Sequence, residues 1–422
     1  MTTFDPQTMI SVEDARTLIL GSVEPGPVEE VDIVQALGRV VARDLASDID
    51  IAPFDNTAMD GFALIATDIE AASADAPVTL RIVAHVGAGS VYEQTVQPGE
   101  AVRIMTGAPI PAGADTVVKV EDVTWSGTGT VGDTVTFAAS NPVGRNIRYH
   151  GEECKAGDVV ISAGEIISSS GVGLMASTGY ATAPVYARPR VGVISLGSEL
   201  VGIGDKPGPG QIRNSNCYSL AAEAASAGAI PVIYPTCEDD QDLITATVKK
   251  ACAECDVVVS SGGASGGDFD YITQAADAIG KVFFKYVNMR PGKSQTYALV
   301  DGTPFFGLAG NPAAATIGFE MLVRPVLRKM QGYAALDRPL TKAVLSGGVK
   351  KVEKRRSYLR GRVERQADGT MLAKLAKNQS AALLGAMQHA NCLVIIPEGG
   401  VAAVDGMDVE CMRLDMEEGT EV

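Results

Sequence analysis

Short apolar runs broken by Gly, Pro, Asp and Ser make up most of the chain, and their rhythm changes along its length. Ser11 followed by Asp14, with Val12, Ala15, Leu18 and Ile19 at helical spacing, predicts a capped amphipathic helix ending near Gly21. A second short helix is expected at 31–37. From about 78 to 137, β-rich runs such as 80–83 and 116–120, split by Gly, Pro and Asp turns, predict a compact β domain. Gly-punctuated strands follow over 144–187, with a helix near 170–177. From Arg190 onward apolar strands, expected at 191–196, 230–234, 256–261, 282–287 and 305–308, alternate with Ala-rich helices at 218–227, 241–253, 271–279 and 313–330. That alternation implies a doubly wound, mostly parallel sheet covered on both faces. Beyond Tyr333, runs at 343–345, 358–363, 392–396 and 409–414 predict a small closing β domain, so the fold class is α/β multidomain.

A length of 422 residues suits three or four units rather than one core. The chain is 46% hydrophobic with few aromatics, which excludes a disordered or collagen-like protein. No apolar run reaches membrane-helix length, and the acidic start, with Asp5, Glu13 and Asp14, does not resemble a secretory signal. A cytoplasmic protein with no membrane partner is expected. The net charge of −16 argues against nucleic acid as a partner. Against that background Lys350, Lys351, Lys354, Arg355, Arg356, Arg360 and Arg362 crowd around Glu353, as either a solvated edge strand or an anion-receiving patch. Seven irregularly spaced cysteines do not form a disulfide framework, and Cys252 with Cys255 reads as two small buried residues rather than a zinc site.

Candidate chemistry lies in the loops. The segment 53–61, Pro-Phe-Asp-Asn-Thr-Ala-Met-Asp-Gly, presents two carboxylates, an amide and a hydroxyl, with Asp55 and Asn56 able to cap a turn and Gly61 able to supply a positive φ. In open α/β sheets ligands bind beyond the carboxyl ends of the strands. Glu199, Asp239 and the 262–268 loop, Gly-Gly-Ala-Ser-Gly-Gly-Asp, follow three such strands. Successive glycines let backbone N–H groups converge on an oxyanion. Gly310-Asn311-Pro312 starts a helix with its positive end at the same rim, and Arg290 and Lys293 add two cations. A phosphate-rich small ligand is the natural occupant. The carboxylates Glu199, Asp239, Asp268 and Asp270 would repel it unless Mg²⁺ bridges them to phosphate. Three scattered histidines give no Ser-His-Asp arrangement, and there is no P-loop.

Taken together, the 53–61 segment, 103–111, 144–148 with 151–153, 197–199, 260–263 with Asp270 and Tyr271, 291–293 and 307–312 resemble the molybdopterin molybdenumtransferases, the family that includes the C-terminal domain of gephyrin. The resemblance covers essentially the whole chain. It implies insertion of molybdate-derived molybdenum into adenylylated molybdopterin, with Mg²⁺-dependent release of AMP. It also implies a homodimer, with molybdopterin adenylyltransferase and molybdoenzymes as transient partners. The domains it suggests are an N-terminal helix (1–26), an elongated domain (27–51 and 143–187), an inserted β-rich domain (52–142), the molybdopterin-binding α/β domain (188–332) and a C-terminal β domain (333–422). Asp60, Thr106, Glu199, Asp239 and Asp270 are then the catalytic set, with Asp60 and Thr106 reaching the site from the partner subunit. Glu153, Glu199, Asp239 and Asp270 are the metal candidates. Gly262, Gly263, Ser265, Arg290, Lys293, Asn311, Arg360 and Ser380 are the substrate contacts. Several positions depart from the family pattern: Glu153 for Asp, Ala264 for Val, Tyr286 and Arg290 for Lys, and Ser294 and Ala309 for Pro. A tungstate-handling paralogue and a non-catalytic scaffold are the competing readings.

Overall fold

The computed structural model describes residues 8–263, 271–349 and 352–421. The chain divides into two compact units, one formed by 1–30, 39–42 and 184–422, the other by 31–38 and 43–183.

In the first unit, helix α1 (Val12–Leu20) starts as its sequence predicts, with the Ser11 side chain accepting from the Asp14 N–H. Its apolar stripe, Val12, Ala15 and Ile19, is buried, and Lys329 Nζ donates to the Leu20 carbonyl at its end. The sheet of the α/β domain has six strands in the order Ile230–Ile233, Arg190–Ser195, Val257–Ser261, Thr303–Leu308, Ser294–Val300 and Lys281–Tyr286. The first four run parallel, and the last two join antiparallel. Helices α3 (Ser215–Ser226), α4 (Gln241–Glu254) and α5 (Tyr271–Ile279) lie in sequence between the strands. After the Thr303–Leu308 strand, α6 (Pro312–Gly318) and α7 (Arg324–Met330) are joined by a π-helical turn. The Val257–Ser261 strand is buried at every position, as an unbroken Val/Ser run in a sheet covered on both faces should be.

Strand Arg356–Arg365 belongs to a closed β-barrel with Met371–Leu375, Leu340–Ser346, Asp408–Arg413 and Cys392–Ile396, which pairs back onto it. The part of the basic run from Arg356 to Arg362 is therefore not an edge strand, and Lys350 and Lys351 lie outside the described residues. Arg356 to Arg365 pairs on both sides; its Leu359 and Val363 fill the barrel core, while the alternate residues Tyr358 and Arg360 are buried on the opposite face, Tyr358 in the α/β core and Arg360 lining a cavity. The short strand Met289–Arg290 of the α/β domain pairs parallel with Arg356 and Ser357, bringing two cationic segments side by side.

In the second unit, a six-stranded sheet runs Thr116–Lys119, Gly61–Leu64, Glu100–Ile104, Val78–Val86, Thr134–Phe137 and Val123–Trp125. Helix α2 (Ser169–Ser177) is capped by Ser168. The helix expected at 31–37 does not form: Val28–Asp32 is a strand, and turns follow it. Asp32 accepts the Val34 N–H at 2.9 Å, an Asx turn that competes with the helix, while Val34 and Leu37 stay exposed and supply no apolar face to bury. Gly61 also differs from expectation. It sits in a strand without positive φ, and a Cβ there would lie 2.1 Å from the Val118 carbonyl oxygen, so close backbone approach is what requires glycine.

Candidate functional site

A cavity of about 890 Å³ opens in the first unit, between the carboxyl ends of the parallel strands and the barrel. Its floor is made where three loops meet. A Cβ on Gly262 (φ +95°) would lie 2.4 Å from the Leu196 carbonyl oxygen, and one on Gly310 would lie 3.4 Å from the Gly262 Cα. Glycine is thus needed at Gly262 for conformation and space together. Gly263 continues the loop with positive φ. Ser265 and Asp270 lie outside the described residues.

Glu199 and Asp239 line the same cavity. The Glu199 carboxylate folds back over Gly197, where a Cβ would meet it at 2.3 Å. Asp239 Oδ2 accepts the Ser198 hydroxyl at 3.1 Å, and Ser198 Oγ lies 3.3 Å from the Asp239 N–H, so the two strand-end loops are tied together. Asn311 stands at the N-cap of α6 with extended φ and ψ, but its side chain makes no capping bond, unlike Ser11 and Asn214. Asn311 lines the cavity.

The opposite wall is cationic. Arg290 Nη1 lies 3.4 Å from Glu353, which also takes two bonds from Arg355. The Arg355 side-chain bonds, first among the causes, hold the Glu353 carboxyl below its ordinary range. Lys293 Nζ stands 4.8 Å above the Tyr286 ring, a cation–π contact that fixes the ammonium at the cavity wall. Tyr286, one of the departures from the family pattern, thus has a positioning contact of its own.

Arg360 is the largest fully buried side chain of the described residues. Gln379 holds its main chain as a strand would, accepting the Arg360 N–H at 3.0 Å and donating to its carbonyl at 2.8 Å. Arg360 Nη2 donates to the Ser380 carbonyl at 2.8 Å, while its Nε is buried and has no partner among the described residues. Burial lowers the guanidinium's pKa, and nearby Arg290 lowers it further. Ser380 lies on the loop that meets α6, where the Ala313 N–H donates to the Ala381 carbonyl at 2.9 Å.

Glu199, Asp239, Gly262, Gly263, Arg290, Lys293, Asn311, Arg360 and Ser380 therefore share one cavity. Glu353, Arg355 and Gln379 also line it; the first two were named from the sequence only as part of the basic run, and nothing local marks Gln379.

Asp60 and Thr106 lie in the second unit, as does Glu153. Asp60 Oδ1 accepts both the Thr106 N–H and the Thr106 hydroxyl at 2.7 Å, and these two bonds lower the Asp60 pKa, with a smaller contribution from Arg103. Asp55 accepts the His150 N–H at 2.7 Å and so fixes the loop around it. Glu153 donates its N–H to the Ile51 carbonyl at 2.8 Å, and its side chain is exposed. Among the described residues, no three His, Cys, Asp or Glu side chains gather as a metal site.

The α/β sheet, glycine-lined floor and cationic wall define a multidomain protein with a cavity suited to an anionic small ligand. Models described as the MoeA N-terminal region (domain I and II), the probable molybdopterin binding domain and the MoeA C-terminal region (domain IV) match residues 10–179, 192–329 and 342–414. A molybdopterin molybdenumtransferase of Staphylococcus aureus (strain COL) is 36% identical over 413 residues, 98% of this chain and 97% of the relative. One from Staphylococcus epidermidis is 36% identical over 396 residues, 94% of this chain and 93% of that one. The solved structure of the molybdopterin biosynthesis MoeA protein of Pyrococcus horikosii aligns with a TM-score of 0.83 and 30% identity, over 97% of this chain and 100% of that one. The chain belongs to the molybdopterin molybdenumtransferase family.

Proposed function

We propose that this protein inserts molybdate-derived molybdenum into adenylylated molybdopterin and releases AMP. The observation that carries this reading is Arg360, a buried guanidinium with a free Nε beside Arg290 and Lys293, in a cavity whose other wall is a glycine-lined phosphate cradle. A tetrahedral oxoanion suits the first wall and a phosphoanhydride the second. In the reaction, water attacks a phosphorus of the anhydride, the P–O bond to the other phosphoryl group breaks, and AMP leaves. The two thiols of the dithiolene bond to molybdenum, and one oxo group departs as water with the two thiol protons, without change of oxidation state.

Glu199 and Asp239 supply a donor set that fits Mg²⁺, which takes one or two carboxylates and fills its sphere with water and substrate phosphate. When bound there, the ion would neutralise developing charge on the phosphates. Arg290, Lys293 and Arg360 orient the oxoanion, and Ser380 offers a hydroxyl to it. The Gly262 and Gly263 N–H groups hold the phosphates.

The protein acts as a cytoplasmic homodimer in this reading, the partner's Asp60–Thr106 pair completing the site, with molybdopterin adenylyltransferase upstream and molybdoenzymes downstream. No helix of the described residues is long and apolar enough to cross a membrane, in keeping with such a location. Incubation with adenylylated molybdopterin, Mg²⁺ and molybdate should release AMP; binding of the pterin without AMP release would reject the assignment. Mixing Asp60→Ala with Glu199→Gln subunits should restore about a quarter of wild-type turnover, because half the dimers are mixed and each then has one intact site.

A further inference from the structure

Asn216 lies in the first turn of α3, outside every motif that marks the cavity, yet its carboxamide reaches two of the three floor loops. Its Nδ2 donates to Ser261 Oγ at 2.7 Å and to the Gly310 carbonyl at 2.8 Å. A carbonyl oxygen can only accept, so this pair of partners fixes which way the amide faces. Ser261 closes the Val257–Ser261 strand immediately before Gly262 and Gly263, and Gly310 immediately precedes Asn311 and α6. The Ser261 hydroxyl also reaches the Ala309 carbonyl at 3.4 Å, so the two chain segments share one small network centred on Asn216. Asn216 Oδ1 is buried and has no partner among the described residues. The residue lines a recess of about 80 Å³ that shares Leu196, Glu199, Gly262, Gly310 and Pro312 with the main cavity. That recess has room for ordered water, which an orphaned buried acceptor favours.

We propose that Asn216 is a positioning residue for the transfer reaction: it braces the glycine loop at Gly262 against the Gly310–Asn311 turn, so that the backbone donors on both sides of the phosphates stand at a fixed separation. The role rests on the reaction proposed above. Glycine loops have little side-chain packing to hold them, and these two are each free to adopt positive or extended φ. A shared side-chain brace supplies the rigidity that neither loop has alone. Its free Oδ1 holds the recess water against the floor.

The test compares Asn216→Ala and Asn216→Asp with Thr236→Val, which removes the hydrogen bond that Thr236 receives from neighbouring Asn214 at 2.9 Å and so serves as a stability control. Asn216→Asp keeps the size and an acceptor but has no donor for Gly310. Hydrogen exchange of peptides 257–263 and 305–311 should accelerate together, by roughly tenfold, in both Asn216 variants and not in Thr236→Val. Turnover should fall roughly 10- to 100-fold with KM for adenylylated molybdopterin within about threefold, the signature of misplacement rather than lost affinity. Thr236→Val should retain wild-type turnover. Unchanged exchange in the Asn216 variants overturns the brace. Loosened loops with turnover within about twofold of wild type overturn the positioning role. Wild-type protein that releases no AMP, while Asn216→Ala still loosens both loops, rejects the reaction reading and the role built on it, by a different measurement from the one that rejects the brace.

Discussion

Removing a guanidinium from water is unfavourable by several kcal/mol unless an anion or a full set of acceptors replaces the lost hydration. Among the described residues the Arg360 guanidinium donates to the Ser380 carbonyl and leaves its Nε orphaned, with Arg290 as a like-charged neighbour. Such a site is stabilised by binding an anion, which is what the proposed oxoanion supplies. Arg360→Ala should raise the half-saturating molybdate concentration by about 10- to 100-fold, as loss of charge-assisted hydrogen bonds would. Arg360→Lys should recover little, because an ammonium on a flexible stem cannot reproduce the planar fork that the Ser380 carbonyl orients. AMP release measured over a molybdate titration checks both variants. At this scale much of the site was legible: glycines in a run, Arg290 and Lys293 between them, Glu199 and Asp239 after strands. Gln379 and Asn216 were not, because a carboxamide takes its role from the atoms it faces, and those lie far off in sequence.

At the scale of elements, loops at strand ends carry the chemistry and crowding decides their residues. Gly262→Ala places a Cβ 2.4 Å from the Leu196 carbonyl at φ +95°, so strain and collision add. We expect a loss of about 1–3 kcal/mol of stability together with weakened AMP binding. Gly89→Ala, with φ +81° and open space around it, should lose less stability and leave AMP binding unchanged. Denaturant unfolding and calorimetric titration with AMP separate the two effects. The parallel strands were readable from buried Val and Ile runs between Ala-rich helices. The strand Ser294–Val300 was not, since it opens on Ser-Gln-Thr, a polar start of which Gln295 and Thr296 are buried. Thr296 pairs its hydroxyl with Thr273, which is how such a residue becomes acceptable inside. Segment 31–37 failed the other way. Its apolar residues had helical spacing, but the Asx turn at Asp32 and the lack of any surface to cover decided against a helix.

Across the first unit, one buried charge network ties α3, the π-helical turn, α7, the linker to the barrel and the C-terminal segment. Glu418, almost fully buried, lies within 4 Å of Arg324, Arg328 and Arg338, and Glu320 pairs with Arg324 and Arg338. Glu223 faces this cluster. Burial first, and then the Glu320 carboxylate, push its carboxyl up to about 8 from 4.5. The proton it retains on folding is one the unfolded chain releases near pH 4.5, so its stabilising contribution is complete below that pH and is lost as pH rises through about 8. The melting temperature should therefore fall between about pH 5 and pH 9, and Glu223→Gln, which donates a hydrogen bond without titrating, should flatten that fall while matching wild type at the acid end. Thermal unfolding followed across the pH range gives the comparison.

The sequence by itself determined what local chemistry can determine: the helix that Ser11 caps, the order of strands and helices after Arg190, the glycine loop, and the residue types of a phosphate and oxoanion site. These follow from spacing, propensity and backbone freedom, which act over a few residues. Only the tertiary structure decided that Arg356–Arg365 becomes part of a closed barrel wall with Arg360 buried at the cavity side. It also decided that Met289–Arg290 pairs with Arg356 and Ser357, that Tyr286 seats Lys293, and that Asn216 spans Ser261 and Gly310. Those arrangements depend on burial and hydrogen-bond partners up to nearly a hundred residues apart, and no local pattern encodes which distant group will meet a buried side chain.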